Sequence, residues 1–137
     1  AKEYGTKELE NEHETKLYKE KTPSFFLTDF PEFTSPFWNM KRNDDPSIET
    51  ANKIDVILSG QETIGSAERE VDTSIMVDRF KTIMGGAYKD KMYELFGEER
   101  TMAEMEEFLK FNFIKRSGGG IGVTRLIRSM KLEGLMK

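Results

Sequence analysis

No cysteine occurs in the 137 residues, so disulfides and thiolate metal sites are excluded. The absence also agrees with a cytoplasmic protein, the location expected here. A single histidine, His13, sits in the charged run ELENEHETKLYKEK. With no second imidazole or thiolate to join it, it makes no metal site and is expected to be a solvated helix residue. No apolar stretch approaches the ~20 residues that span a bilayer, and no signal-peptide core opens the chain. A membrane partner is therefore not expected. An excess of positive charge is missing as well: the net charge is −4, which argues against a non-specific nucleic-acid binder while leaving local basic patches open. The chain opens with alanine and its first methionine is Met40, so a piece of a longer or processed chain is expected.

What is present reads as strands followed by helices. Residues 6–20 are charge-rich with sparse apolar positions, the pattern of a mostly exposed helix. PSFFLTDFP (23–31) is aromatic and β-prone between prolines, and SPFWNM (35–40) reads as a second short strand. KRNDDPSIETAN (41–52) is a polar loop. KIDVILSGQETIGSAERE (53–70) predicts two strands around a Ser-Gly turn. The period then becomes helical: DTSIMVDRFKTIM (72–84) puts Ile75, Val77, Phe80 and Met84 largely on one side, with Asp72 or Thr73 as N-cap. Gly85-Gly86 breaks it, and a short helix follows through Leu95. Thr101 and Glu104 stand at capping-box spacing and predict a helix start. The end reads as a glycine turn, a short strand and a helix from Val123 to Glu133, with Gly134 at its C-terminal cap. The fold class expected is α+β, a mainly antiparallel sheet flanked by helices.

Two places could carry chemistry. A two-residue turn at Ser59-Gly60 would pair Leu58 with Gln61, Ile57 with Glu62 and Asp55 with Ile64. Asp55 and Glu62 then share a face as diagonal neighbours, about 7–8 Å apart between Cα atoms. Two carboxylates converging from one face suit a hard cation such as Mg2+, held jointly with substrate phosphates. Arg69 joins that face only if a bulge intervenes, and Gly65 is the residue that tolerates one. The plain alternative is two solvent-facing carboxylates balanced by Lys53 and Arg69. The second place is RSGGGIGVTRLIRSM (116–130). Its glycines would let backbone approach a bulky anion closely, and Arg125 in the first turn of the helix asks for a negative partner such as a nucleotide phosphate. The plain alternative is a flexible hinge beside a surface arginine. The stretch fits neither GxGxxG nor a P-loop, since no GK[ST] follows and no βαβ unit surrounds it.

Taken together, these segments resemble a known family. GGGIGVTRLIR resembles motif 3 of class II aminoacyl-tRNA synthetases, and IDVILSGQETIGSAERE resembles the active-site strands of their aspartyl/asparaginyl/lysyl subclass. PSFFLTDFPEFTSPFWNM resembles that subclass's strand pair leading to a proline-phenylalanine step. The three stand in the family's order over residues 23–130. The resemblance implies that residues 23–137 are the C-terminal part of a class II catalytic domain, with motif 3 at 118–130, preceded by a charged helix over 1–22. It implies ATP and Mg2+ as cofactors. Arg125 would be the catalytic arginine on the ATP γ-phosphate, with Gly118, Gly119, Gly120 and Gly122 giving close backbone approach. Asp55 and Glu62 would be the metal ligands, Arg69 would read the substrate side chain, and Ser66 would be a further substrate contact. The chain departs from the pattern at Gly65-Ser66, where the family often has Ser-Gly. It departs again at Thr124, where an acidic residue usually precedes the arginine.

IGSAERE leans toward asparaginyl-tRNA synthetases and the related asparagine synthetases, so the substrate implied is asparagine or aspartate. The acceptor is tRNA, or ammonia in a synthetase-type paralogue, and a homodimer is implied for the full-length enzyme. No motif 1, no motif 2 with its α-phosphate arginine, and no anticodon-binding barrel is found in these residues. The 137 residues alone are expected to be inactive. A non-catalytic synthetase-like binding module is the alternative from another class; retention of Asp55, Glu62 and Arg125 ranks it second.

Overall fold

The computed structural model describes residue 5 and residues 9–137. Among them, no helix is long and apolar enough to cross a membrane. The elements are α1 (Asn11–Glu20), β1 (Ser24–Leu27), β2 (Phe30–Pro31), β3 (Thr50–Ala51), β4 (Lys53–Leu58), β5 (Gln61–Arg69), α2 (Thr73–Thr82), α3 (Ala87–Phe96), α4 (Glu98–Leu109), β6 (Arg116–Ile121) and α5 (Val123–Leu132). Four strands form one sheet in the order β1-β4-β5-β6, and β2 pairs with β3 in a second. β1 runs antiparallel to β4, with Ser24 opposite Leu58 and Leu27 opposite Asp55. The mixture of helices and antiparallel sheet is the expected α+β plan. The chain divides into two compact units: Ala1–Thr28 with Lys53–Ser66 and Gly119–Lys137, and Asp29–Asn52 with Ala67–Gly118.

The first unit is organised by the β4–β5 hairpin. Ser59 and Gly60 both have positive φ, 46° and 76°, the two-residue turn whose twist suits antiparallel strands. Gly60 is required there twice over: a Cβ would meet the Thr15 backbone of α1 at 3.2 Å, besides the left-handed conformation. Of the helix expected over 6–20, residues 6–8 lie outside the described residues and α1 covers the rest from Asn11. His13 serves α1 locally: the Glu10 N–H donates to its Nδ1 (3.1 Å), satisfying one of the donors at the helix start. α5 ends as expected. The Gly134 N–H donates to Lys131 O and the Leu135 N–H to Met130 O, with Gly134 at φ 72°, a closure that only the left-handed glycine permits easily.

The second unit has an aromatic core of Trp38, Met76, Phe80 and Met105. Trp38 stands edge-on to Phe80 and to Phe108, at 6.0 and 5.8 Å between ring centres. Residues 35–40 are therefore not the short strand expected from the sequence. Ser35 turns the chain through a left-handed φ of 52°, Trp38 enters the helical core, and only Met40 makes an isolated bridge, to Arg69. α2 starts as expected, with Asp72 Oδ1 accepting from the Ser74 and Ile75 N–H groups. Its buried residues are Met76 and Phe80; Met84 lies beyond its end, exposed and at positive φ. α4 begins at Glu98, not Thr101. Gly97, at φ 83°, releases the chain into the helix three residues earlier. Thr101 thus sits inside the helix, where its hydroxyl donates to Gly97 O (2.8 Å), and Glu104 accepts from Arg100 Nε. Glu70, 1% exposed, holds the junction of β5 with α2: its carboxylate accepts from the Val71 and Asp72 N–H groups and from Arg79.

Candidate active site

Asp55 and Glu62 come together above one glycine. A Cβ placed on Gly65 would lie 2.8 Å from Glu62 Oε1 and 3.3 Å from Asp55 Oδ1. In an unbroken strand, residues 62 and 65 face opposite sides. β5 therefore takes up one extra residue between them. The backbone agrees. A turn at Ser59-Gly60 would set Asn52 opposite Ala67, yet it is the Glu68 N–H that donates to Asn52 O (2.9 Å). The extra residue falls beside Gly65, the residue expected to tolerate a bulge. Glycine also leaves the space that the two acid groups occupy.

Asp55 is buried, at 4% exposure. One oxygen is engaged by Lys53 Nζ on the same strand, while Oδ1 has no hydrogen-bond partner. A third carboxylate stands near, and the sequence reading missed it. Glu14 of α1 is 7% exposed, and its Oε2 also lacks a partner. Burial raises its pKa above the ordinary 4.5, and the negative charges of Glu62 and Asp55 raise it further. Nothing in a run of alternating charges marks which glutamate turns inward. Among the described residues, no three His, Cys, Asp or Glu side chains are grouped closely enough to hold a metal. Asp55 and Glu62 are thus a two-carboxylate pair, the kind that suits Mg2+ with part of its shell supplied by substrate oxygens. The unpartnered Asp55 Oδ1 and the glycine cradle fit such an ion.

Arg125 lies in the first turn of α5, exposed. Its Nη1 donates to Glu62 O (2.7 Å), so the guanidinium is tied to the strand that carries the carboxylate. Its side chain packs over Gly122, where a Cβ would stand 3.4 Å from Arg125 Cδ, and the Gly122 N–H donates to Thr63 O (2.8 Å). The glycines before it form a strand, not the expected turn. Gly118–Gly120 lie in β6, and at Gly119 the reason is packing: a Cβ would be 2.5 Å from Gly65 O and 2.7 Å from Ser66 Cβ. At Gly120 a Cβ would meet nothing within 4 Å. The Ser66 hydroxyl reaches toward Ile54 O (3.4 Å). In the second unit, Arg69 donates to Gly118 O (3.1 Å) and to Asn39 Oδ1 (3.3 Å), contacts that orient its guanidinium plane.

Comparison with known proteins places the chain in a family. The family model for tRNA synthetases class II (D, K and N) matches residues 1–134. The chain belongs to that family. It is 31% identical over 123 residues to the asparagine–tRNA ligase of Bacillus cytotoxicus, an alignment covering 88% of this chain and 23% of the relative. Its fold is similar to that of asparaginyl-tRNA synthetase from Pyrococcus horikoshii complexed with asparaginyl-adenylate (TM-score 0.67, 20% identity, 93% of this chain and 28% of that one). It is likewise similar to aspartyl-tRNA synthetase from Entamoeba histolytica (TM-score 0.64, 24% identity, 93% and 26%). The chain thus spans roughly a quarter of the length of the relatives it matches.

Proposed function

We propose that this chain is part of an amino-acid-activating ligase that makes asparaginyl-adenylate from asparagine and ATP and passes the asparaginyl group to tRNA. The observation that carries the reading is the meeting of Asp55 and Glu62 above Gly65, with one buried carboxylate oxygen unpartnered, in the unit that also carries Arg125. Asparagine is preferred to aspartate because the matched relatives are asparagine–tRNA ligases.

In this reading Asp55 and Glu62 hold Mg2+, which neutralises charge on the triphosphate when bound. Arg125 binds the γ-phosphate, and its bond to Glu62 O holds the guanidinium ready for it. Gly120 and its neighbours present backbone without side chains to the nucleotide. Arg69 and Ser66 contact the substrate amino acid. An α-carboxylate oxygen of asparagine attacks the α-phosphorus in line, the bond to the bridging oxygen breaks, and pyrophosphate leaves with the electron pair. The protein's part is positioning and charge neutralisation, and it needs no proton transfer in this step. A homodimer working in the cytoplasm goes with this reading.

The test is a thermal-shift titration of the intact protein with ATP and Mg2+. A ligand at one hundred times its Kd adds about 2.7 kcal/mol. Stabilisation that requires Mg2+ and disappears in Arg125→Ala is expected. No shift in the wild type, or an undiminished one in Arg125→Ala, overturns the assignment. Pyrophosphate exchange with asparagine, and not with aspartate, checks the choice of substrate.

A further inference from the structure

α5 carries Arg125, yet apolar burial does little to fix it. Its one buried residue is a serine, Ser129. Val123 and Leu132 are more than half exposed, and a cavity of about 320 Å³ lies beside the helix, lined in part by Leu58, Leu126, Met130 and Leu135. Loose apolar contact permits a helix to slide or turn, so its setting falls to directional bonds.

Three of those bonds converge on a single residue. Arg128 Nη1 donates to Ser59 O (3.1 Å), Ser59 Oγ donates to Glu133 Oε1 (2.8 Å), and the hydroxyls of Ser59 and Ser129 are 2.7 Å apart. A hydroxyl has one hydrogen, and that of Ser59 is used on the carboxylate, so Ser129 is the donor between the two serines. Ser59 is 1% exposed and is the first residue of the hairpin turn. The hairpin it closes bears Asp55 and Glu62. One turn residue therefore ties the cationic helix to the carboxylate-bearing strands, at the end away from the Arg125–Glu62 contact.

We infer that Ser59 and Ser129 are positioning residues for Arg125: they set α5 on the hairpin and so set the guanidinium relative to the two carboxylates. This rests on the proposed role of Arg125 with the triphosphate. The experiment is titration of the intact protein with a fluorescent ATP analogue in Mg2+, alongside thermal melting, for Ser129→Ala, Ser59→Gly and Ser129→Thr, each also combined with Arg125→Ala. Ser59→Gly removes the hydroxyl while accepting the positive φ, so the turn survives. We expect about tenfold weaker binding for Ser129→Ala and for Ser59→Gly, recovery in Ser129→Thr, and no further loss when either is added to Arg125→Ala. Binding within twofold of wild type in Ser129→Ala and Ser59→Gly, with only the melting temperature lowered, overturns the inference and leaves the proposed function standing. Losses that multiply with Arg125→Ala overturn it too, since the serines would then act elsewhere. A wild type that binds no analogue overturns the proposed function and this inference with it.

Discussion

Gly119 and Gly120 are adjacent in β6, and the same substitution should have opposite effects at the two. An alanine methyl at 119 would be driven to 2.5 Å from Gly65 O and 3.0 Å from Ser66 Cα, both of them backbone atoms of the neighbouring strand. Backbone cannot swing aside as a long side chain does, so β6 must move off β5. Overpacking of this kind costs about 1–3 kcal/mol, and rigid partners place Gly119→Ala toward the upper end. For a chain of this size each kcal/mol is worth roughly 3–5 °C, so a fall of roughly 10 °C is expected. At 120 the methyl enters open space and the φ is not left-handed. There, alanine should add about 0.4–1 kcal/mol by restricting the unfolded chain, a rise of roughly 2–4 °C. Thermal melts followed by circular dichroism measure both. If Gly119→Ala melts within a degree of the wild type, β6 does not lie against Gly65 and Ser66 as described. The pair also separates structure from ligand. If the backbone at 120 faces the triphosphate, Gly120→Ala should weaken ATP binding while keeping its higher melting temperature.

Three further outcomes follow from the same geometry. Gly65→Ala puts a methyl among the ends of Glu62 and Asp55; Glu62 can bend away, so stability should change by less than about 1 kcal/mol, while the Mg2+ requirement of ATP stabilisation should be lost. Retention of that requirement would contradict the two-carboxylate pair. Arg79→Met leaves Glu70 charged and buried without its partner at 3.2 Å, and denaturant unfolding should show a loss of about 3 kcal/mol; a loss under 1 kcal/mol would refute it. Glu14 holds its proton more tightly folded than unfolded, because burial and the charges of Glu62 and Asp55 raise its pKa. Its contribution therefore falls as pH rises from 4.5 through the folded value, and returns as pH drops again. In metal-free buffer, Glu14→Gln should be the more stable protein near neutral pH and lose that advantage toward pH 4.5. An advantage independent of pH would show that Glu14 does not ionise at a cost.

Features set by local dihedral demands were legible in the sequence. Ser59-Gly60 supplies the two positive φ values that a tight hairpin needs, Asp72 offers its carboxylate to the start of α2, and Gly134 closes α5. Gly65 was legible as the residue of β5 that would tolerate a bulge, though nothing local demanded one. Features set by packing were not. SPFWNM reads as a short aromatic strand, but Trp38 is taken up by Phe80 and Phe108, partners that lie far along the chain. Thr101 and Glu104 carry a capping pattern that Gly97 overrides by starting the helix first. Glu14 looks like every other charge in its run, and what sets it apart, burial close to Asp55 and Glu62, comes from residues far along the chain. Gly119 reads as freedom and is in fact constraint, because what limits it is the strand beside it.

The division of the chain has a practical result for anyone wishing to dissect it. The backbone passes from one compact unit to the other after Thr28, Asn52, Ser66 and Gly118. No pair of cut points frees the carboxylate-bearing unit as one continuous segment. Terminal truncation would remove α1 or α5 from it and leave the aromatic unit's two pieces still separated in sequence. Isolating either unit calls for relinking its pieces in a new order, with short loops spanning the gaps left by the other.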